Sequence, residues 1–387
     1  MPAPVPTTNS IQRHVAPLRA PIWARGGHAQ TLLAYTLRAP GEALVPAGDG
    51  RIRFHEVPVT EGDRLVIVDA APLSSAPLSS GPLSSGRLDG VAVHLMHGLT
   101  GSTDSNYMRM CAAVLRRHGA RVIGFNHRGQ GPGAGLAKRL YHSGSFPDLW
   151  AAVGKGRALH PDLLHLAVGF SLSANTALLG VTEKGDASDP ASLPDGVLAV
   201  NPPVDLRACA IRIETGVNRL YDRNFVRGMR ESVAARRSRG WLPDSVMIPK
   251  GASVRGADEA VTAPQAGYGS ADEYYADCSS GPRLATLRRP AVILSADDDP
   301  FIAPEDITSA ARGTAAFVHL EPVGGHLGYL SQPTTARVAG LDPAGELRGL
   351  GSRWLAGAVL HYCEQLVLAS ADQSRSMTST SAPDAPG

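Results

Sequence analysis

A serine, an aspartate and a histidine that meet in space make a nucleophile with its own base, and this chain offers one of each, in that order, after three β-like runs. Ser171 stands in Gly169-Phe170-Ser171-Leu172-Ser173, at the end of the apolar run LHLAVGF. The triplet Asp297-Asp298-Asp299 follows the run AVILSA, and His326 lies in Gly324-Gly325-His326-Leu327-Gly328 just after AFVHLEPV. A hydroxyl is a weak nucleophile at neutral pH, so it needs an imidazole to take its proton and a carboxylate to orient that imidazole. A serine on a tight strand-to-helix turn also needs small neighbours, because the turn presses helix against strand.

Gly169 meets that need, but Ser173 puts a hydroxymethyl group where a second glycine is usual. Serine is small enough to fit with slight displacement of the helix, and Ala174 keeps the contact lean. On this steric account Ser173→Gly preserves or raises activity, whereas leucine there disrupts the turn. Ser173 as the nucleophile would have Ser171 before it and Asn175 after it, which suits the turn worse. For the acid, Asp299 is favoured because Pro300 follows it and Pro304 opens the next helix; Asp298, one residue nearer the strand, is the alternative. The histidines His94, His118, His319 and His361 fall within elements or at their ends and read as packing or solvent-facing rings.

Attack on a carbonyl creates an oxyanion that needs donors. His97-Gly98-Leu99-Thr100-Gly101-Ser102 follows the run VAVHLMH, and the backbone N–H groups of Leu99 and Leu172 are the expected pair. The elements that must carry these loops alternate. RIRFHEVPV, RLVIVDA, VAVHLMH, ARVIGFNH, LHLAVGF, VLAVN, AVILSA and AFVHLEPV read as strands; YMRMCAAVLRRHG, FPDLWAAVGKGRALH and a segment from about Pro304 read as helices. Such alternation predicts an α/β fold with a mostly parallel sheet covered on both faces. Residues 205–288, rich in arginine and aromatics, break the rhythm and predict a helical cap over the C-terminal edge of the sheet, where open parallel sheets bind ligands.

The chain reads as one domain over residues 21–370. The first 20 residues are proline-rich and irregular, residues 71–86 repeat (Ala/Gly)-Pro-Leu-Ser-Ser three times and read as a surface loop, and residues 371–387 have the composition of a disordered tail. The 37 basic residues nearly balance 35 acidic ones without clustering, which leaves no nucleic-acid or membrane footprint. No run of 18 apolar residues predicts a membrane span. Cys111, Cys209, Cys278 and Cys363 are widely spaced and read as reduced thiols, and with no apolar leader at the N-terminus the expected compartment is the cytoplasm. The composition says nothing of oligomeric state.

Several motifs in order resemble the YheT-like branch of the α/β-hydrolase superfamily, related to the eukaryotic ABHD1/ABHD3 group and the yeast medium-chain ester synthases. They are Gly27-His28-Ala29-Gln30-Thr31-Leu32, His97 to Ser102 with Ser105 and Tyr107, Asn126-His127-Arg128-Gly129, Tyr141-His142-Ser143-Gly144, Gly267-Tyr268 with Tyr274-Tyr275 and Ser279-Ser280, Asp298-Asp299-Pro300-Phe301 and Gly324 to Gly328. The resemblance covers about residues 21–365. It implies an α/β-hydrolase fold and a serine esterase for small ester substrates, with Ser171, Asp299 and His326 as triad. The family usually has G-x-S-x-G-G-N at the elbow; here Asn175 matches, while Ser173 and Ala174 replace both glycines. His97, Arg128, His142, Tyr268 and Tyr274 are candidates to touch substrate or to tie loops together. This chemistry requires no metal and no organic cofactor. Transfer of the acyl group to an alcohol uses the same acyl-enzyme, and a non-catalytic hydrolase-like binding protein is the reading of another class.

Overall fold

The computed structural model describes residues 17–37, 43–46, 48–73, 88–185, 192–332 and 353–379, with positions 11, 15 and 41. The strands are β1 (Ile52–Pro58), β2 (Arg64–Ala70), β3 (Val91–Met96), β4 (Arg121–Asn126), β5 (Leu164–Phe170), β6 (Gly196–Val200), β7 (Ala291–Ala296) and β8 (Ala316–Glu321). They form one sheet in the order β1-β2-β4-β3-β5-β6-β7-β8. β1–β2 and β2–β4 pair antiparallel, and every pair from β4 to β8 is parallel. The α/β expectation therefore holds, with one antiparallel edge.

Period-two side-chain alternation splits the interior into two layers. In β5, Leu166, Val168 and Phe170 join one core, which holds Met108, Cys111 and Leu115 of α2 (Asn106–Arg117). Ala167 faces the other, with Leu149 and Val153 of a helix at Phe146–Leu159 and Ala174, Ala177 and Leu178 of a helix at Leu172–Gly180. We label α1 the helix Gly27–Thr36, α3 Phe146–Leu159 and α4 Leu172–Gly180. Both layers bury large aliphatic side chains, each favourable by about 1.5–3 kcal/mol, so the strand ends stand on a rigid base.

Between β6 and β7 the chain leaves the sheet and forms α5 (Leu206–Ile213), α6 (Arg219–Arg237), α7 (Val254–Ala257), a π-turn at Asp258–Thr262, α8 (Ala263–Ala266) and α9 (Ala271–Cys278). α10 (Pro304–Ala311) precedes β8, and α11 (Trp354–Ser379) closes the chain against α2. The helix of α11 runs to Ser379, so residues 371–379 are not the irregular tail their composition suggests; between Trp354 and Pro383 there is no proline, and nothing in that stretch forces the helix to stop. Residues 380–387 and most of the repeated segment at 71–86 lie outside the described residues. All four cysteines are free thiols.

Candidate active site

Parallel register delivers the chemistry to one edge. Met96 pairs with Gly169, Phe170 with Val200, Val200 with Leu294 and Ala296 with Glu321, so the loops after β3, β5, β6, β7 and β8 leave the sheet side by side. Ser171 sits on the turn from β5 into α4 with φ 55° and ψ −120°. That is a strained position for a residue with a Cβ. It is held by Ser171 N–H to the Val200 carbonyl at 2.9 Å and by Ala174 N–H to the Ser171 carbonyl at 2.8 Å. Only glycine fits at 169, where a Cβ would come within 2.4 Å of the Ser173 carbonyl oxygen and 2.7 Å of Ala174.

The close contact between strand and helix is thus made by the backbone of residue 173, and its side chain points elsewhere. Ser173 is fully buried; its Oγ donates to the His97 carbonyl at 2.5 Å and lies 2.6 Å from His127 Nε2. The hydroxymethyl group is not wedged into the turn, so the geometry supplies no steric reason for glycine to serve better there. Glycine would leave two buried polar groups without their partner, each costing about 1–3 kcal/mol.

His326 Nε2 lies 2.8 Å from Ser171 Oγ, and its Nδ1 lies 2.8 Å from Asp299 Oδ2. Asp299 also accepts from Asn201 Nδ2 at 2.7 Å, Phe301 N–H at 2.8 Å and Ile302 N–H at 3.3 Å. Asp298 faces another way: its Oδ1 accepts from the Gly324 and Gly325 amides at 2.8 and 2.7 Å, pinning the loop that bears His326. The two sequence alternatives therefore separate by geometry, with Asp299 on the ring and Asp298 on its loop.

α1 braces the same loop. Thr31 Oγ1 accepts from His326 N–H at 2.9 Å and donates to the Gly27 carbonyl at 2.7 Å, while Gln30 bonds both the Leu330 carbonyl and the Leu330 amide. Gly27 is pressed on the Asp298 carbonyl, where a Cβ would sit 1.7 Å from the oxygen.

On the other side of Ser171, the amides around Leu99 are taken. Gly98 N–H donates to the Tyr107 hydroxyl at 2.9 Å and Thr100 N–H to the Tyr141 hydroxyl at 2.7 Å. Leu172 is the first residue of α4, where an N–H has no acceptor within its helix. Among the described residues, no hydrogen bond is formed by the Leu99 or Leu172 amide, so both can serve a ligand.

A cavity opens above these groups and beneath α5 to α9. Ser171, His326, Leu99 and Leu172 line it together with apolar walls that include Leu206, Ile213, Phe225, Met229, Val254 and Phe301. His142 and Tyr274 also line it, although His142 Nδ1 is occupied by the Gly144 amide and burial pushes its pKa down to about 4. The Tyr274 hydroxyl accepts from Ser143 N–H at 2.9 Å. Arg128 lies off the cavity in a buried ion pair with Asp148 and Asp63, Tyr268 donates to Asp277, and His97 lies behind the Leu99 loop.

Sequence reasoning missed Asn201. It adopts φ 48°, which asparagine tolerates, and ties Asp299 to Tyr329. Its only sequence signal is an asparagine before Pro202-Pro203 at the end of β6.

Residues 91–333 match the α/β hydrolase fold family. The chain belongs to that family. Among the relatives of this α/β hydrolase, the Escherichia coli protein YheT, an esterase by name, is 29% identical over 250 residues, covering 61% of this chain and 69% of that one. The medium-chain fatty acid ethyl ester synthase/esterase 2 of Saccharomyces cerevisiae is 27% identical over 266 residues, covering 62% and 58%. Phospholipase ABHD3 of Mus musculus is 27% identical over 240 residues, covering 61% and 57%. The matched regions thus span less than three fifths of the two eukaryotic relatives. The resemblance to the YheT-like and ABHD3-like hydrolases is borne out.

Proposed function

We propose that this α/β hydrolase cleaves carboxylic esters through a Ser171–His326–Asp299 triad and a covalent acyl-enzyme. Ser171 Oγ attacks the ester carbonyl carbon as its proton passes to His326 Nε2; the carbonyl electron pair becomes an oxyanion received by the Leu99 and Leu172 amides. The intermediate collapses, the ester C–O bond breaks, and the imidazolium returns the proton to the departing alcohol. Water, deprotonated by the same imidazole, then hydrolyses the acyl-enzyme and regenerates Ser171. Asp299 holds the Nδ1–H tautomer and balances the imidazolium charge.

The observation that carries this reading is the single imidazole within 2.8 Å of both Ser171 Oγ and Asp299 Oδ2. The esterase names among the relatives point to the same reaction. Residues 205–288 contribute apolar walls to the cavity, and we assign acyl selection to that cap. No helix among the described residues is long and apolar enough to cross a membrane, and the esterase name of the Escherichia coli relative supports a small-molecule ester as substrate.

The test is a screen of p-nitrophenyl esters of graded acyl length with Ser171→Ala alongside. Activity that disappears in Ser171→Ala while the fold and Tm persist supports the assignment, and retained activity refutes it. Adding ethanol distinguishes hydrolysis, which yields free acid, from transfer, which yields a new ester.

A further inference from the structure

Ser173 occupies a position where glycine is usual, and its hydroxyl joins two loops that the reaction does not otherwise connect. In a trans peptide the C=O and N–H point in opposite directions, so fixing the oxygen of one unit aims its N–H. The 97–98 unit is fixed at both ends, by Ser173 Oγ on the His97 oxygen and by Tyr107 on the Gly98 N–H. The 98–99 unit is fixed at its oxygen, which receives His97 Nδ1 at 2.8 Å and Gly101 N–H at 3.1 Å. The remaining group of that unit is the Leu99 N–H.

Protonation follows from the partners. His97 Nε2 accepts from His127 N–H at 3.2 Å, so its proton is on Nδ1; burial pushes its pKa down to about 4 and keeps the ring neutral. The Ser173 proton goes to the His97 carbonyl, which has no proton to offer. His127 must then donate to Ser173 Oγ from Nε2, and its Nδ1, which has no partner among the described residues, carries the lone pair. The alternative tautomer would bury an N–H without an acceptor. The resulting chain, His127 Nε2–H to Ser173 Oγ–H to the His97 carbonyl, runs in one direction, and each bond polarises the next. His127 also stacks on Tyr141 with centroids 4.4 Å apart and planes 11° apart, and Tyr141 holds the Thr100 amide. The same ring therefore supports both ends of the Leu99 loop.

We propose that Ser173 and His127 are positioning residues that clamp the 97–100 loop to the nucleophile helix and aim the Leu99 N–H at the developing oxyanion. The proposal rests on the reading of Ser171 as nucleophile and Leu99 as donor. It assigns a use to the serine that replaces the elbow glycine, and it makes residue 127 its partner.

The test compares Ser173→Ala, Ser173→Gly, His127→Leu, His127→Gln and the double variant Ser173→Ala/His127→Leu with the wild-type protein. Loss of one oxyanion donor costs about 10²–10³ in kcat in other enzymes, so misaiming it is expected to lower kcat about tenfold to a hundredfold with KM within about twofold. The double variant should lose little more than Ser173→Ala, and His127→Gln, whose amide can donate to Ser173 Oγ, should recover most of the His127→Leu loss. A second readout needs no turnover: hydrogen exchange at the Gly98 amide should accelerate at least about tenfold in Ser173→Ala. If that acceleration occurs in a protein whose wild type hydrolyses no ester, the clamp stands and the reading of the site fails. If the wild type is active and the variants lose only Tm, with kcat and Gly98 exchange unchanged, the clamp is overturned. Should Ser173→Ala not fold, Ser173→Gly and His127→Leu carry the same comparison.

Discussion

Replacing Asp299 and Asp298 separately by asparagine separates the two adjacent carboxylates by what each faces. Among the described residues, the four hydrogen-bond partners of the Asp299 carboxylate are all donors: His326 Nδ1 and Asn201 Nδ2 on Oδ2, and the Phe301 and Ile302 amides on Oδ1. An asparagine must therefore turn an NH2 onto N–H groups in either orientation. The ring escapes by moving its proton from Nδ1 to Nε2, where it points at Ser171 Oγ and cannot accept the serine proton. In a well-studied serine protease the corresponding change lowers kcat about 10⁴-fold, and at about 1.4 kcal/mol per tenfold that is about 5–6 kcal/mol. Asp298 differs, because its Oδ1 accepts two glycine amides and its Oδ2 has no partner among the described residues. An asparagine there keeps the acceptor and loses only the charge, so about 1 kcal/mol of stability and no more than about fivefold in kcat are expected. The assay is steady-state hydrolysis of p-nitrophenyl butyrate beside thermal unfolding. An Asp298→Asn loss as large as that of Asp299→Asn, or an Asp299→Asn enzyme retaining a tenth of wild-type kcat, refutes the reasoning.

Thr31→Ala removes the acceptor of the His326 amide and should lower kcat severalfold and Tm by about 2–4 °C, read from kinetics and a thermal melt; unchanged kcat would show that α1 does not brace the loop. Gly169→Ala forces a Cβ against the Ser173 carbonyl and should cost at least about 2 kcal/mol in urea unfolding; a neutral effect would contradict the close approach. Burial raises the pKa of Asp258 to about 6. Below about pH 4 both folded and unfolded states are protonated there, and between about 4 and 6 only the unfolded chain loses the proton. Asp258 therefore makes stability fall as pH rises through that window, by on the order of 3 kcal/mol. Asp258→Asn lacks this loss, so its Tm relative to wild type should increase from pH 4.5 to pH 7; a constant difference refutes the assignment.

Much of this architecture was legible because it depends on local period. The alternation in LHLAVGF and the i, i+3, i+4, i+7 pattern of Met108, Cys111, Ala112 and Leu115 fix element type without tertiary information. Element order then places loops at one edge of the sheet, which is why Ser171, Asp299 and His326 could be nominated together. Side-chain direction in those loops is another matter. Asp298 and Asp299 are adjacent and chemically identical, and only the positions of Gly324, Gly325 and Asn201 decide which one meets the ring. Ser173 was judged by volume at a turn, whereas its orientation is set by His97 and His127, distant in sequence. The end of α11 was misjudged because a polar stretch without proline is compatible with helix as well as with tail.

The supports of the site divide unequally between sheet and cap, with consequences for how substrate range can vary. α4, which begins just after Ser171, is tied to the end of α9 and to the loop before α3: Asn175 Nδ2 donates to the Cys278 carbonyl and to the Ser143 hydroxyl, and its Oδ1 accepts from the Ser280 amide. α9 is therefore continuous with the elbow. Phe225, Met229 and Val233, by contrast, reach the cavity from α6 through apolar contact alone. Changes on α6 can reshape the cavity wall while leaving the hydrogen bonds around Ser171 untouched; changes at Cys278 or Ser280 move the backbone that Asn175 holds. Acyl preference should thus respond to α6 substitutions through KM, and the rate of acylation should respond to α9 substitutions through kcat. A Met229→Ala enzyme whose kcat collapses for every ester tested, short or long, would show that α6 is coupled to the elbow after all.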